Sequence, residues 1–164
     1  PNYLKFLNEV LDVYPKDEQI YIEAITHASF KKNKKNITDN ERLEFLGDAF
    51  ISMIIGEHLF EKFPNKNEGF LSQLRAKIVS REQLNSLGKK IGLEEHILYQ
   101  KSTNKYKSLI GNAFEALFGA ILLDQGISEK YISVFGKGEN QLAINTPDET
   151  KHPANRRAEL KILN

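Results

Sequence analysis

Apolar side chains recur at helical spacing through most of the first 126 positions. Phe6, Leu7, Val10 and Leu11 predict a helix over 3–13, closed by Pro15. Ile20, Tyr21, Ala24 and Ile25 repeat the pattern over 17–30. The stretch 40–63 is long and apolar through Leu43, Phe45, Leu46, Phe50, Ile51, Ile54, Ile55, Leu59 and Phe60. That pattern predicts a helix buried nearly all round, the central element of the fold. Further helices are predicted over 70–80, 81–91 (stopped by Gly92), 93–99 and 108–123, giving an all-α fold class. Gly47 and Gly56 interrupt the long helix, where glycine costs about 1 kcal/mol relative to Ala, so a close helix crossing is expected at each.

With 164 residues, 40% of them hydrophobic, the chain can bury a sizeable core as one domain with an appendage. Lys and Arg number 23 against 22 Asp and Glu, a formal net charge of +1. Affinity for a polyanion must therefore come from where the charges lie. No cysteine is present, which excludes disulfides and thiolate metal sites and agrees with a reducing compartment. No run of eighteen apolar residues could cross a membrane and the start does not read as a secretory signal, so a cytoplasmic location and no membrane partner are expected.

Glu41, Glu44 and Asp48 change the picture. Standing at i, i+3 and i+7, they share an arc of roughly 60° on a helix. Like charges so placed repel unless a cation sits among them. The bland reading is an acidic, solvated face near a helix start, capped by Asp39 or Asn40 and favoured by the dipole. Glu115 weighs against it, being the only charge between Lys107 and Asp124 in an otherwise apolar helix. Burying a lone carboxylate there is costly. Asn112 lies on the same face, so the two helices together could build an oxygen-rich cage for a hard cation such as Mg²⁺.

The run Asn40-Glu41-Arg42-Leu43-Glu44-Phe45-Leu46-Gly47-Asp48 resembles the signature of the ribonuclease III endonuclease domain. So do Ala24-Ile25-Thr26-His27-Ala28-Ser29-Phe30, Phe63-Pro64 with Asn67-Glu68-Gly69, the stretch 71–80, and Gly111-Asn112-Ala113-Phe114-Glu115-Ala116-Leu117, all in family order from about 4 to 126. The resemblance implies the helical fold of that domain and Mg²⁺-dependent cleavage of double-stranded RNA in RNA processing, with Mn²⁺ as a substitute. Products would be staggered ends carrying 5′-phosphates. It implies Glu44, Asp48 and Glu115 as catalytic residues; these three with Asn112 as metal ligands; Glu41 and Glu68 as supporting acids; and a homodimer in which Phe45 enters a pocket of the partner. Many members add a double-stranded-RNA-binding domain; none is expected within these 164 residues, and without one weak and steeply salt-dependent duplex affinity is expected.

Asn112 departs from the family, which usually has Asp there. An amide oxygen still binds a hard cation but brings no charge. The competing class is accordingly a catalytically silent, ribonuclease III-like double-stranded-RNA-binding protein. Phosphate contacts are expected from Lys31, Lys32, Lys34 and Lys35 before the acidic helix, from Arg75 and Lys77, and from Lys105 and Lys107. Arg75 could equally tie down Glu68 or a helix end. His27 reads as a hydrogen-bonded structural residue rather than a ligand or base, and His58 and His96 as structural or surface residues.

Residues 126–139 and 155–160 resemble the end of an OmpA-like peptidoglycan-associated domain. The expected organisation is thus a ribonuclease III-like domain at 1–126 and an irregular extension at 127–164 that is not an independent domain. That resemblance omits the segments carrying the family's ligand-binding Asp and Arg, so peptidoglycan is not an expected partner. A partial helix is expected near 131–134, and a strand at 160–163 would lack a partner.

Overall fold

The structure is a computed structural model that describes residues 2–33, 37–101, 108–126, 132–136 and 158–162, with the backbone alone at 31–33 and in the last two segments. The helices are α1 (Tyr3–Leu11), α2 (Glu18–Ala24), α3 (Glu41–Lys62), α4 (Glu68–Ile78), α5 (Arg81–Lys90) and α6 (Leu109–Gln125), with 3-10 turns at Ala28–Asn33 and Leu93–His96. Four start on a side-chain cap: Asn2 accepts from Lys5 N, Asp17 from Gln19 N, Asn67 from Phe70 N and Ser80 from Gln83 N. Each cap satisfies a backbone donor that a helix start leaves unpaired.

The single helix expected over 17–30 breaks after Ala24. Ile25 and Thr26 leave it, and Thr26 forms a parallel bridge with Leu98, in which Leu98 N donates to Ile25 O at 2.8 Å and His27 N to Leu98 O at 2.9 Å. Partners far along the chain thus replace the helical ladder. The helix expected over 93–99 is likewise one 3-10 turn, entered through Gly92 at φ 82°, a left-handed conformation that glycine adopts without strain.

The larger correction concerns which helix is central. On α3 the buried positions are Leu43, Gly47, Ile51 and Leu59, one stripe at multiples of four, while Phe45 is 81% and Phe60 72% exposed. The enclosed helix is α6, which buries Ile110, Gly111, Ala113, Phe114, Ala116, Leu117, Gly119 and Ala120. Its small residues let α2, α3 and α5 close around it. The core adds Phe6 and Leu7 of α1, Tyr21 of α2, Leu84 of α5, and Leu93. Asp124, at the end of α6, accepts from Lys16 N at 3.0 Å, Asp17 N at 3.1 Å and the Tyr21 hydroxyl at 3.0 Å. One carboxylate thereby fastens the start of α2 to the end of α6.

α3 and α6 cross in backbone contact. A Cβ on Gly47 would collide with the carbonyl of Glu115, and one on Gly119 with the carbonyl of Leu43. Gly56, for which a close crossing was also expected, has none: its nearest neighbour would be the guanidinium of Arg75 at 3.7 Å.

Contacts divide the chain into Pro1–Gly126 and Ile127–Asn164. In the second unit, β1 (Ile132–Gly136) pairs antiparallel with β2 (Ala158–Ile162), Ile132 opposite Ile162 and Gly136 opposite Ala158. The extension is therefore not irregular at these positions, and the strand thought to lack a partner has one. That partner lies where a partial helix was expected; Ile132, Val134 and Phe135 are residue types that favour strands. The rest of the OmpA-like stretch lies outside the described residues. Among the described residues no helix is long and apolar enough to cross a membrane.

The crossing predicts opposite outcomes at two glycines of one helix. Gly47→Ala should destabilise by about 3 kcal/mol through overpacking against backbone, lowering the thermal midpoint by roughly 10 °C. Gly56→Ala should gain up to about 1 kcal/mol of helix propensity. Thermal and urea unfolding of the two variants check this; equal effects would contradict it.

Candidate active site

The acidic helix is set in place by a buried amide. Asn40 is only 2% exposed and does not cap α3 with its side chain. Its Nδ2 donates to Ala24 O at 3.2 Å and its backbone N–H to Thr26 O at 2.9 Å, stapling the start of α3 to the end of α2. Capping falls to Asp39, whose Oδ1 accepts from Glu41 N at 3.3 Å.

From that anchored start the helical repeat carries Glu41, Glu44 and Asp48 onto one side of α3, and all three line a cleft of about 590 Å³. Asn112 and Glu115 of α6 line it from across the glycine crossing, with His27, Asn40, Phe45 and Arg81 around them. The two acidic faces expected from the sequence thus meet at one place. His27 keeps the structural bonds expected of it: its Nδ1 accepts from Ser29 N at 3.1 Å and lies 2.8 Å from Ser29 Oγ. It nevertheless borders the cleft as well.

Electrostatics show how crowded this negative charge is. The half-buried Glu115 carboxyl is pushed up to about 7, first by desolvation and then by Asp48 and Glu44, against the opposing pull of Arg81. Glu44 is raised too, by burial foremost and by Glu41, while Arg81 and the Asn112 amide favour its charged form. Desolvation and like charge act in the same direction on both carboxyls. As they stand, no three His, Cys, Asp or Glu side chains among the described residues are drawn together closely enough to hold a metal. The donor set itself, three carboxylates and an amide oxygen, has the hard-oxygen chemistry that suits Mg²⁺.

Other anticipated residues lie elsewhere. Glu68 starts α4, is exposed and accepts from Ser72 Oγ at 2.6 Å; it does not line the cleft of its own chain. Arg75 and Lys77 are exposed in the last turn of α4. Lys31 and Lys32 fall in the 3-10 turn, where the backbone alone is described, and Lys34, Lys35, Lys105 and Lys107 lie outside the described residues. His58 is exposed, and His96 packs on the rings of Phe6 at 4.6 Å and Tyr3 at 5.4 Å between centroids. Arg81 is the cleft residue that sequence reasoning missed. One signal was available: a cation in the first turn of a helix opposes the peptide dipoles.

A family profile described as Ribonuclease-III-like matches residues 17–135. The chain belongs to the ribonuclease III-like family. A ribonuclease 3 from Phocaeicola vulgatus is 48% identical over 130 residues, 76% of this chain and 41% of that protein. The chain thus spans well under two thirds of that relative's length. The solved nuclease domain of Campylobacter jejuni ribonuclease III superposes with a TM-score of 0.68 at 37% identity, covering 77% of this chain and 86% of that one. A second structure of that domain, with a TM-score of 0.68 at 38% identity, covers 75% of this chain and 87% of that one; it concerns structural flexibility in a region involved in dimer formation. The matched stretch of this ribonuclease III-like chain contains every residue of the cleft.

The raised carboxyls predict the pH dependence of the metal-free protein. Because Glu115 rises from 4.5 to about 7 in the folded state, the folded chain holds that proton more tightly than the unfolded one across this window. Its contribution to stability is therefore full below about 4.5 and lost as pH climbs toward 7. In EDTA the thermal midpoint should fall over that range, and Glu115→Gln should flatten the fall. A slope unchanged in the variant would contradict the assignment.

Proposed function

We propose that the chain is a metal-dependent endoribonuclease that hydrolyses double-stranded RNA to staggered products with 5′-phosphates, acting in RNA processing in the cytoplasm. One observation carries this reading: Glu44, Asp48, Asn112 and Glu115 converge from two helices on a single cleft. The relatives named ribonuclease 3 support it.

Hydrolysis joins a water oxygen to phosphorus and breaks the P–O3′ bond; the leaving oxygen takes a proton to become a 3′-hydroxyl, and the phosphate stays on the 5′ side. A bound Mg²⁺ supplies an activated water and neutralises charge on the phosphate and the leaving oxygen. Glu44, Asp48 and Glu115 would hold it with the Asn112 amide oxygen, while Glu41 at the mouth adds negative potential. Glu115, raised by burial first and by Asp48 and Glu44 next, would have to release its proton to serve as a ligand. Lys31, Lys32, Lys34, Lys35, Arg75, Lys77, Lys105 and Lys107 are candidate phosphate contacts along an A-form duplex read by shape and backbone.

The reading includes a homodimer. Phe45 projects from α3 beside the cleft, and an apolar pocket of about 140 Å³ lies between Ile51, Ile54, Ile78, Leu84, Leu87 and Phe118. An exposed aromatic and an apolar pocket on the same chain suit an isologous contact between two copies.

Two experiments test this. With a long RNA duplex at low salt, Mg²⁺ should give cleavage that EDTA abolishes and Glu115→Gln lowers on the order of a thousandfold, several kcal/mol of transition-state stabilisation. A duplex bound but left whole, even with Mn²⁺, would establish instead a silent RNA-binding protein, the class that the neutral Asn112 favours. Separately, Phe45→Ala should move the protein toward monomer in sedimentation velocity; an unchanged association state would remove Phe45 from the dimer contact.

A further inference from the structure

Arg81 is the one lysine or arginine lining the acidic cleft among the described residues. It is the first residue of α5, directly after the Ser80 cap. Peptide dipoles disfavour positive charge at that end of a helix, so its placement is not explained by α5 itself. Its field reaches both Glu44 and Glu115. Yet no direct ion pair fastens its guanidinium among the described residues. It also borders a smaller recess of about 140 Å³ shared with Gly111, Asn112 and Glu115.

A cation held across a cleft from carboxylates without closing on them leaves space between the two. When a divalent ion neutralises those carboxylates, the attraction of Arg81 toward them weakens. The anion then left for a guanidinium to bind is a phosphodiester, whose oxygens it can grip with two parallel N–H donors. Asn112 acts in the same sense. A neutral amide at 112 and a cation at 81 make the cleft less repellent to a polyanion than carboxylates alone.

We propose that Arg81 is a substrate-binding residue whose guanidinium grips the RNA phosphate lying beside Glu44, Asp48 and Glu115. This rests on the endoribonuclease reading and names a residue that the family motifs quoted above do not include.

The test is duplex binding in the Glu115→Gln background with Mg²⁺, followed by fluorescence anisotropy over a range of salt. Adding Arg81→Gln should weaken binding roughly tenfold and reduce the slope of log affinity against log salt by about 1, as the loss of one phosphate contact requires. Arg81→Lys should restore the slope but only part of the affinity, because an ammonium is a point charge. Affinity and slope equal to the parent's would overturn the assignment. So would weaker Mn²⁺ binding by RNA-free Arg81→Gln, which would mark Arg81 as a support for the acids. If the parent itself binds no duplex, the endoribonuclease reading falls and takes this inference with it.

Discussion

The backbone contact of α3 with α6 at Gly47 and Gly119 is the constraint on which the remaining structure depends. Without side chains at these two positions, the helices approach until the carbonyls of Leu43 and Glu115 fill the space that Cβ atoms would occupy. Glu44 and Asp48 flank one side of the crossing, and Glu115 carries the other. The separation of the two backbones that carry the carboxylates is thus set by main-chain contact, an arrangement that favours a fixed site geometry. Asn40 fixes where α3 begins, and with it the rotation of its acidic face.

That closeness has an electrostatic cost. Four carboxylates share a cleft in which burial already disfavours charge, and Glu115 responds by holding its proton toward neutral pH. The fold accommodates the strain by leaving the cleft open to water and by placing Arg81 opposite the acids. An amide at 112 relieves it further. The same features that ease repulsion in the free protein make the cleft less repellent to anions in general.

Much of the site was legible because helix geometry is rigid: the spacing of Glu41, Glu44 and Asp48 settles their common face whatever packs around them. Glu115 stood out as a lone charge in an apolar run. The misreadings share a cause, which is that an apolar pattern does not say what covers it. Phe45, Ile54 and Phe60 made α3 look enclosed, yet within one chain they are exposed, and the enclosed helix is the small-residue-rich α6. Long-range pairing was equally invisible. Ile25 and Thr26 abandon a helical pattern to bond with Leu98, β1 finds its partner only at 158–162, and Arg81 faces the acids because α5 packs on α6.

Asp124 bears on how the molecule is made. Its carboxylate is the acceptor for Lys16 N, Asp17 N and the Tyr21 hydroxyl, a junction between parts of the chain more than a hundred residues apart. Contacts that close so long a loop form late, after local structure has repaid some of the entropy. During synthesis the acidic face of α3 therefore leaves the ribosome well before α6, its packing partner, exists. Until α6 arrives, Glu44 and Asp48 remain hydrated on an undocked helix, without the low-dielectric wall that later sharpens their field. The nascent chain thus has no cleft until α6 has been made and docks on α3.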